Sequence, residues 1–157
     1  MVSPDQVRGL LDQEVENLQS LLSILRREHD ALVNSDVEAL EQITGLKNQA
    51  LSIQANLTNS RQKLLASTQG GAVNDQLADY VASGDDSTLE ALYMRLSSLA
   101  EECHSQNRTN GRLIGQKHQL TLGALDILRH TDSKGATYSL SGKASGPDQT
   151  GRSLGKA

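Results

Sequence analysis

Three stretches of the chain repeat an aliphatic residue every three or four positions, and this repeat constrains the fold more than any other feature. The first stretch contains Leu11, Val15, Leu18, Leu22, Leu25 and Leu32, with His29 in the remaining position. This spacing places the residues along one side of an α-helix, as in a coiled-coil seam. No strand is predicted anywhere in the chain. The sequence therefore predicts an all-α protein.

A serine marks the predicted beginning of each long helix. In a capping box, a Ser at the N-cap is followed three positions later by Glu or Gln. Three pairs have this spacing, namely Ser3 with Gln6, Ser35 with Glu38, and Ser87 with Glu90. Pro4 also suits the first helical position, because its missing N–H has no partner there. The predicted long helices cover about residues 4–33, 36–67 and 87–130, and they are expected to pack as an antiparallel helical bundle.

The second and third helices also have apolar faces. The predicted face of the second contains Val37, Leu40, Ile43, Leu46, Ala50, Ile53, Leu57 and Leu64. The third supplies Leu89, Leu92, Leu96, Leu99 and Cys103. Between them, residues 74–83 fit a short connector helix or a mobile loop equally well. We therefore expect residues 1–130 to form one helical bundle domain of three long helices plus a short connector helix.

The composition changes after residue 130. Gly, Ser, Thr, Lys and Asp dominate, and Leu140 and Leu154 are isolated large aliphatic residues. Such a segment buries too little apolar surface to offset its ordering entropy. Residues 131–157 are therefore predicted to form a disordered Gly/Ser-rich C-terminal tail, in which Tyr138 is the one bulky contact group.

An apolar stripe just before this tail is a candidate binding surface. It contains Leu113, Leu120, Ala124, Ile127 and Leu128, with Ile114 and Leu125 beside them. At 1.5 Å per residue, the third helix would be roughly 65 Å long and the other two roughly 45 Å each. Apolar residues at helical spacing usually belong to a core, and we expect this for Leu89 to Cys103. For Leu120 to Leu128, at the end of the longest helix, we expect a partner instead.

The composition argues against several classes of function. The formal net charge is −4 and no basic stripe with stacking aromatics is present, so nucleic-acid binding is not expected. The chain has no Trp or Phe and only three Tyr, whereas small-molecule pockets usually contain aromatic residues. Cys103 is the single cysteine, which excludes an internal disulfide. No signal peptide or membrane span is apparent, and the predicted location is the cytoplasm.

Two patterns were considered as catalytic or metal sites. Glu101 and His104 form a Glu-x-x-His pair, but a di-iron bundle needs a second such pair and two further Glu residues. We therefore expect both residues on a solvated face, with no metal and no cofactor. His118 is the best candidate for a histidine phosphotransfer site, yet the Lys and Gly expected a few residues after it are missing. The sequence favours a protein that is not an enzyme.

Three short motifs in the C-terminal third resemble a known family. They are NRTNGRLI at residues 107–114, ALDILR at 124–129 and TYSLSG at 137–142. Together they resemble the C-terminal signature of FlgN-type flagellar export chaperones. The preceding Leu- and Gln-rich helical hairpins agree with that family in size and order.

The resemblance implies a cytoplasmic chaperone of the flagellar type III secretion system. Its clients would be the two hook–filament junction proteins, which it would keep from premature assembly and deliver to the export gate. The client-binding region would map onto Asn110, Leu113, Ile114, Leu120, Ala124, Leu125, Ile127 and Leu128. Tyr138 would match the family's tyrosine that docks on the cytoplasmic domain of the export gate. The family commonly has Gly after this Tyr, whereas Ser139 follows Tyr138 here.

A second interpretation is a helical adaptor or regulatory bundle with no role in secretion. Such a protein could form a homodimer through the same apolar stripe. Co-purification of a disordered helical client would separate the two interpretations.

Overall fold

The computed structural model describes residues 3–67 and 76–135, with side chains up to residue 131. Within these ranges it contains four helices and no strand: α1 (Pro4–Asn34), α2 (Val37–Ala66), α3 (Gln76–Ser83) and α4 (Ser87–Gly135). The all-α prediction is confirmed, and the connector between α2 and α4 is helical over residues 76–83. α4 ends at Gly135 and not near residue 130. The remainder of the predicted tail, including Tyr138, lies outside the described residues.

The chain forms two compact units, Met1–Gln116 and Lys117–Ala157, and the boundary falls within α4. Unit 1 contains α1, α2, α3 and the first part of α4. Its core is built around the predicted seam of α1, whose members are buried except for the half-buried His29. Leu77 of α3 and Leu89, Leu96 and Cys103 of α4 join the same core. The sequence prediction for these faces of α1 and α4 is therefore confirmed.

The α1–α2 hairpin is antiparallel and is joined by charged side chains. Near one end, Arg61 Nε donates to Glu14 Oε1 at 2.6 Å. Near the other end, Lys47 Nζ donates to both carboxylate oxygens of Glu28 at 3.1 Å. Between them, Asn17 Nδ2 donates to the backbone carbonyl of Ala50 at 3.0 Å. As the residue number rises along α1, the number of its partner on α2 falls, as an antiparallel hairpin requires.

The predicted apolar face of α2 is wrong in part. Ile43 and Ala50 are buried, but Leu46 and Ile53 are exposed and Val37 is 67% exposed. The face of α2 toward α1 instead contains Lys47, Gln54 and Arg61. Polar side chains are needed there because the carboxylates of Glu14 and Glu28 on α1 are buried and require partners.

Two of the three predicted helix caps are also wrong. Ser35 has a positive φ of 55° and ends α1, so it cannot begin α2. Asp36 caps α2 instead, and its Oδ1 accepts from the Ala39 backbone N–H at 3.0 Å. At α4, Asp86 Oδ1 accepts from the backbone N–H groups of Thr88 and Leu89, at 3.0 and 3.2 Å. A neighbouring carboxylate thus caps each helix in place of the predicted serine: Asp36 follows Ser35, and Asp86 precedes Ser87.

The cap predicted for α1 is confirmed. Gln6 Oε1 accepts from the Ser3 backbone N–H at 3.3 Å, and Pro4 begins the helix. α4 continues as a helix through Gly111, Gly115 and Gly123.

Candidate functional site

The eight residues predicted to contact a client lie in different environments. In unit 1, Asn110 is 0% exposed, Leu113 is half-buried and Ile114 is exposed. In unit 2, every described residue after Lys117 is exposed. The remaining five, Leu120, Ala124, Leu125, Ile127 and Leu128, belong to this exposed part.

Four of the exposed residues share one side of α4. Ala124 lies four positions after Leu120, and Ile127 and Leu128 lie three and four positions after Ala124; we name this set of four residues the α4 stripe. Leu120 is 74% exposed, Ile127 70% and Leu128 61%. Large aliphatic side chains this exposed on one helix face indicate a site for another apolar surface. The α4 stripe is therefore a candidate surface for the apolar face of a partner helix.

Sequence reasoning missed Leu122, which is also exposed. It lies two positions after Leu120 and pairs with Leu125 at a step of three, away from the α4 stripe. A single 3.6-residue stripe through Leu120 therefore excludes it. The signal in the sequence is that Leu122 is aliphatic and close to the stripe residues along the chain.

Asn110 is the centre of a polar junction inside unit 1. Its Nδ2 donates to the carbonyl oxygen of Leu25 and to Glu28 Oε2, both at 2.8 Å. Its Oδ1 accepts from Gln106 Nε2 at 3.1 Å and lies 3.3 Å from His29 Nδ1. A client could touch this side chain only if α1 and α4 separated. We therefore leave Asn110 out of the α4 stripe and assign it a structural role.

The residues considered for chemistry are dispersed. Glu101, His104 and His118 are exposed, and His104 Nε2 lies 3.1 Å from a guanidinium nitrogen of Arg108. Within residues 3–67 and 76–131, no group of three or more His, Cys, Asp or Glu side chains could hold a metal ion. Cys103 is buried and its thiol lies 3.4 Å from the Leu18 carbonyl oxygen. Burial raises the pKa of the Cys103 thiol, as expected for a core residue.

None of the helices in the described ranges is both long enough and apolar enough to cross a membrane.

Comparison with known proteins identifies the family of the chain. The family model for the FlgN protein matches residues 1–146. The chain belongs to the FlgN family. Its fold is similar to the crystal structure of a flagella synthesis protein, FlgN, from Pseudomonas aeruginosa, with a TM-score of 0.64 and 25% sequence identity. That similarity covers 82% of this chain and 99% of the Pseudomonas chain, whereas no curated protein matches.

Proposed function

We propose that this member of the FlgN family is a cytoplasmic chaperone of flagellar type III secretion. It binds hook–filament junction proteins through the α4 stripe, prevents their premature assembly and delivers them to the export gate. Membership of the FlgN family supports a flagellar role. The observation that carries the proposal is the exposure of Leu120, Ile127 and Leu128 on one face of α4.

The proposed activity needs packing and no catalysis. Protein segments that form amphipathic helices pair through their apolar faces, and a stripe on another helix can cover such a face. Burying a large aliphatic side chain contributes about 1.5–3 kcal/mol. Full burial of the three large side chains of the α4 stripe would therefore contribute about 4.5–9 kcal/mol. The free-energy cost of association offsets much of this, so we expect the binding to be reversible.

Alanine variants of the α4 stripe test this proposal. Leu120→Ala and Leu128→Ala should weaken client binding, measured by calorimetry with a purified hook–filament junction protein. They should leave the thermal melting temperature close to wild type, because these side chains are exposed. Leu96→Ala is the control: it removes a buried side chain and should lower the free energy of unfolding by about 2–5 kcal/mol.

The two readouts separate the possible roles. Large losses of stability with unchanged client affinity would show that Leu120 and Leu128 belong to a core and not to a binding surface. A chain that binds neither junction protein, yet forms a dimer through these residues, would favour the adaptor interpretation. Sedimentation of the wild-type chain and of Leu120→Ala measures the second outcome.

Tyr138 is assigned to delivery on the basis of its sequence context. A single aromatic residue among Gly, Ser and Thr has the composition of a short motif that becomes ordered on a partner. Tyr138→Ala should weaken binding to the cytoplasmic domain of the export gate and slow secretion of junction proteins. Client affinity should stay near wild type. A variant that docks and secretes normally, or that loses its client, would contradict this division of roles.

A further inference from the structure

A groove lies between α3 and the beginning of α4 in unit 1, and its volume is about 320 Å³. This volume is at the small end of the range for ligand sites, about 300–1,000 Å³, so we expect the groove to take one or two side chains of a bound molecule. We name it the α3–α4 groove. Its lining includes Ala78, Val81 and Ala82 of α3 and Glu90, Tyr93 and Met94 of α4. Apart from Glu90, none of these side chains carries a charge.

Met94 is the most exposed large apolar side chain of the groove. It is 65% exposed, whereas Val81 and Tyr93 are half-buried and pack against the core of unit 1. Methionine is flexible and adapts to the shape of a partner, and an aromatic ring gives a large contact area with few rotatable bonds. The pair Tyr93 and Met94 therefore suits contact with one apolar side chain of another molecule.

The sequence around the groove is acidic. Between Lys63 and Arg95 it has five Asp or Glu residues and no Lys, Arg or His. Arg95 follows Met94 directly, but one residue along a helix is a rotation of about 100°. Tyr93 precedes Met94 and is rotated by the same angle in the opposite direction. Arg95 therefore lies on the other side of Met94 from Tyr93 and does not offset the acidic residues of the groove.

Three carboxylates at the groove are exposed to a partner. Glu90 lines the groove, Asp85 lies in the turn between α3 and α4, and Asp79 lies on α3. Among the described residues, no ion pair includes any of these three. Asp86 differs, because Arg8 donates to its carboxylate. The α3–α4 groove thus has uncompensated negative charge beside apolar side chains.

We propose that the α3–α4 groove binds a cationic segment of a partner protein. One large apolar side chain of this segment packs against Tyr93 and Met94, and its Lys or Arg side chains lie beside Asp85 and Glu90. The charge decides the class of partner, because nucleic acids and anionic lipid surfaces carry phosphate groups that the same carboxylates repel. The groove belongs to unit 1, so this inference does not depend on client binding by the α4 stripe.

Two short designed peptides test the proposal on the full chain. One has a central Leu flanked on both sides by Lys and Arg, and the other has Ser in place of that Leu. Fluorescence anisotropy at low salt should show that the Leu peptide binds about fivefold more tightly, as expected from partial burial of one aliphatic side chain. Binding of both peptides should weaken as NaCl is raised to about 0.5 M, because salt screens exposed charges.

Nuclear magnetic resonance of the methionine methyl groups locates the binding. The chain has two Met residues, Met1 and Met94, so the two signals can be assigned with one variant, Met94→Ala. The Met94 signal should shift as the Leu peptide is added and should reach a plateau, while the Met1 signal stays in place. Binding of the Leu peptide without a shift of the Met94 signal would overturn the proposal.

Substitutions separate the apolar contact from the charge. Met94→Ala should weaken binding of the Leu peptide about fivefold and leave the melting temperature near wild type, because the side chain is mostly exposed. Asp85→Asn/Glu90→Gln should weaken binding of both peptides about fivefold at low salt. Glu16→Gln/Glu41→Gln makes the same change in net charge at exposed positions elsewhere in unit 1, and it should keep the wild-type affinity.

Several outcomes would overturn the proposal. Equal weakening by the Glu16/Glu41 variant would show that net charge alone attracts the peptides. Equal binding of the Leu and Ser peptides would show that the apolar side chains of the groove take no part. Loss of binding in Leu120→Ala would place the peptides on the α4 stripe.

The chain itself contains a segment of similar chemistry, RSLGK at residues 152–156. The variant Arg152→Glu/Lys156→Glu tests whether this segment occupies the groove. If the occupant is a partner protein, the variant should bind the Leu peptide as the wild type does. Tighter binding of the peptide, together with a shifted Met94 signal before any peptide is added, would show that the chain fills its own groove and would overturn the assignment to a partner.

Discussion

The side-chain nitrogen of Asn110 lies 2.8 Å from the carbonyl oxygen of Leu25, and this hydrogen bond joins α4 to α1 inside unit 1. The same nitrogen donates to Glu28 Oε2 at 2.8 Å. A buried amide in a heptad seam is satisfied only when the two helices are in one register. Asn110 therefore fixes the register of α1 and α4 within unit 1.

Asn110→Asp should be more destabilising than Asn110→Ala. The Asp side chain has nearly the same shape, but it places an acceptor where the Leu25 carbonyl and the Glu28 carboxylate need a donor. Asn110→Ala should cost about 1–3 kcal/mol by leaving these groups unsatisfied. Urea unfolding measures both changes. Asn107→Asp is the matched control, because Asn107 is exposed in the same motif, and it should change stability little.

The same measurements test the role of Asn110 in the NRTNGRLI motif. If Asn110→Asp is as stable as wild type, the junction described here does not hold the helices in register. If the variant is destabilised but the folded fraction binds its client normally, the asparagine has a structural role only.

A second prediction concerns the carboxylate of Glu14, which is 1% exposed. It accepts from Arg61 Nε at 2.6 Å and from Gln54 Nε2 at 3.0 Å. Removing one partner of a buried ion pair leaves the other charge uncompensated, at a cost of about 3–5 kcal/mol. Arg61→Met should therefore be strongly destabilising, and Glu14→Leu/Arg61→Met should cost less than the sum of the single changes.

Denaturant unfolding of the four proteins in this cycle gives the coupling energy. Arg26→Met is the control, because Arg26 and Glu102 lie 3.7 Å apart on the surface. That variant should lose less than about 1 kcal/mol. Additive effects of the Glu14 and Arg61 changes would contradict the direct pairing.

The buried ion pairs Glu14–Arg61 and Glu28–Lys47 show which parts of the fold can be predicted from the sequence and which cannot. The α1 seam was predicted because its members are nearly all aliphatic, so hydrophobic periodicity alone identifies them. The α2 face was predicted wrongly because Lys47, Gln54 and Arg61 lie there, and periodicity counts only apolar residues. A signal was present nonetheless. Those three residues repeat at seven, and the matching acids Glu14 and Glu28 are separated by two heptads on α1.

The candidate site shows the same limit. The aliphatic residues of the α4 stripe are visible in the sequence, but their exposure is not, because apolar periodicity is the same for a core face and for a binding face. Asn110 could not be separated from them by sequence, because an asparagine is polar whether it faces solvent or a buried carboxylate. Its burial follows from the heptad register with Cys103, which becomes clear only when α1 and α4 are paired.

The corrected face of α2 leads to a third prediction. Ile43 is 3% exposed and Ile53 is 43% exposed, although the sequence assigned both to one face. Ile43→Ala should lower the free energy of unfolding by about 2–5 kcal/mol. Ile53→Ala makes the same chemical change on the same helix and should cost noticeably less. Thermal and urea unfolding of the two variants measure these losses of stability. Equal losses would support the apolar face predicted from the sequence, on which both residues are buried.

The last prediction concerns the pH dependence of the cap on α4. Arg8 donates to Asp86 Oδ2 at 2.5 Å, while Asp86 Oδ1 accepts from the backbone N–H groups of Thr88 and Leu89. The Arg8 hydrogen bond, followed by the Leu89 backbone N–H, lowers the pKa of Asp86 below its ordinary value of 3.8. The unfolded chain therefore binds this proton more readily than the folded chain does. The stabilisation is complete above the ordinary pKa and is lost as the pH falls through the lower, folded-state pKa.

Asp86→Asn keeps a capping side chain but removes the charge. Wild type should be more stable than this variant near neutral pH, and the difference should shrink as the pH falls from about 5 to below 3. Asp85→Asn, at the exposed neighbouring position, is the control and should follow the wild-type profile. Urea unfolding at a series of pH values measures the three curves. A difference between wild type and Asp86→Asn that stays constant with pH, or grows in acid, would show that the carboxylate charge does not hold α4 to α1, because only a group with a lowered pKa loses its contribution in that direction.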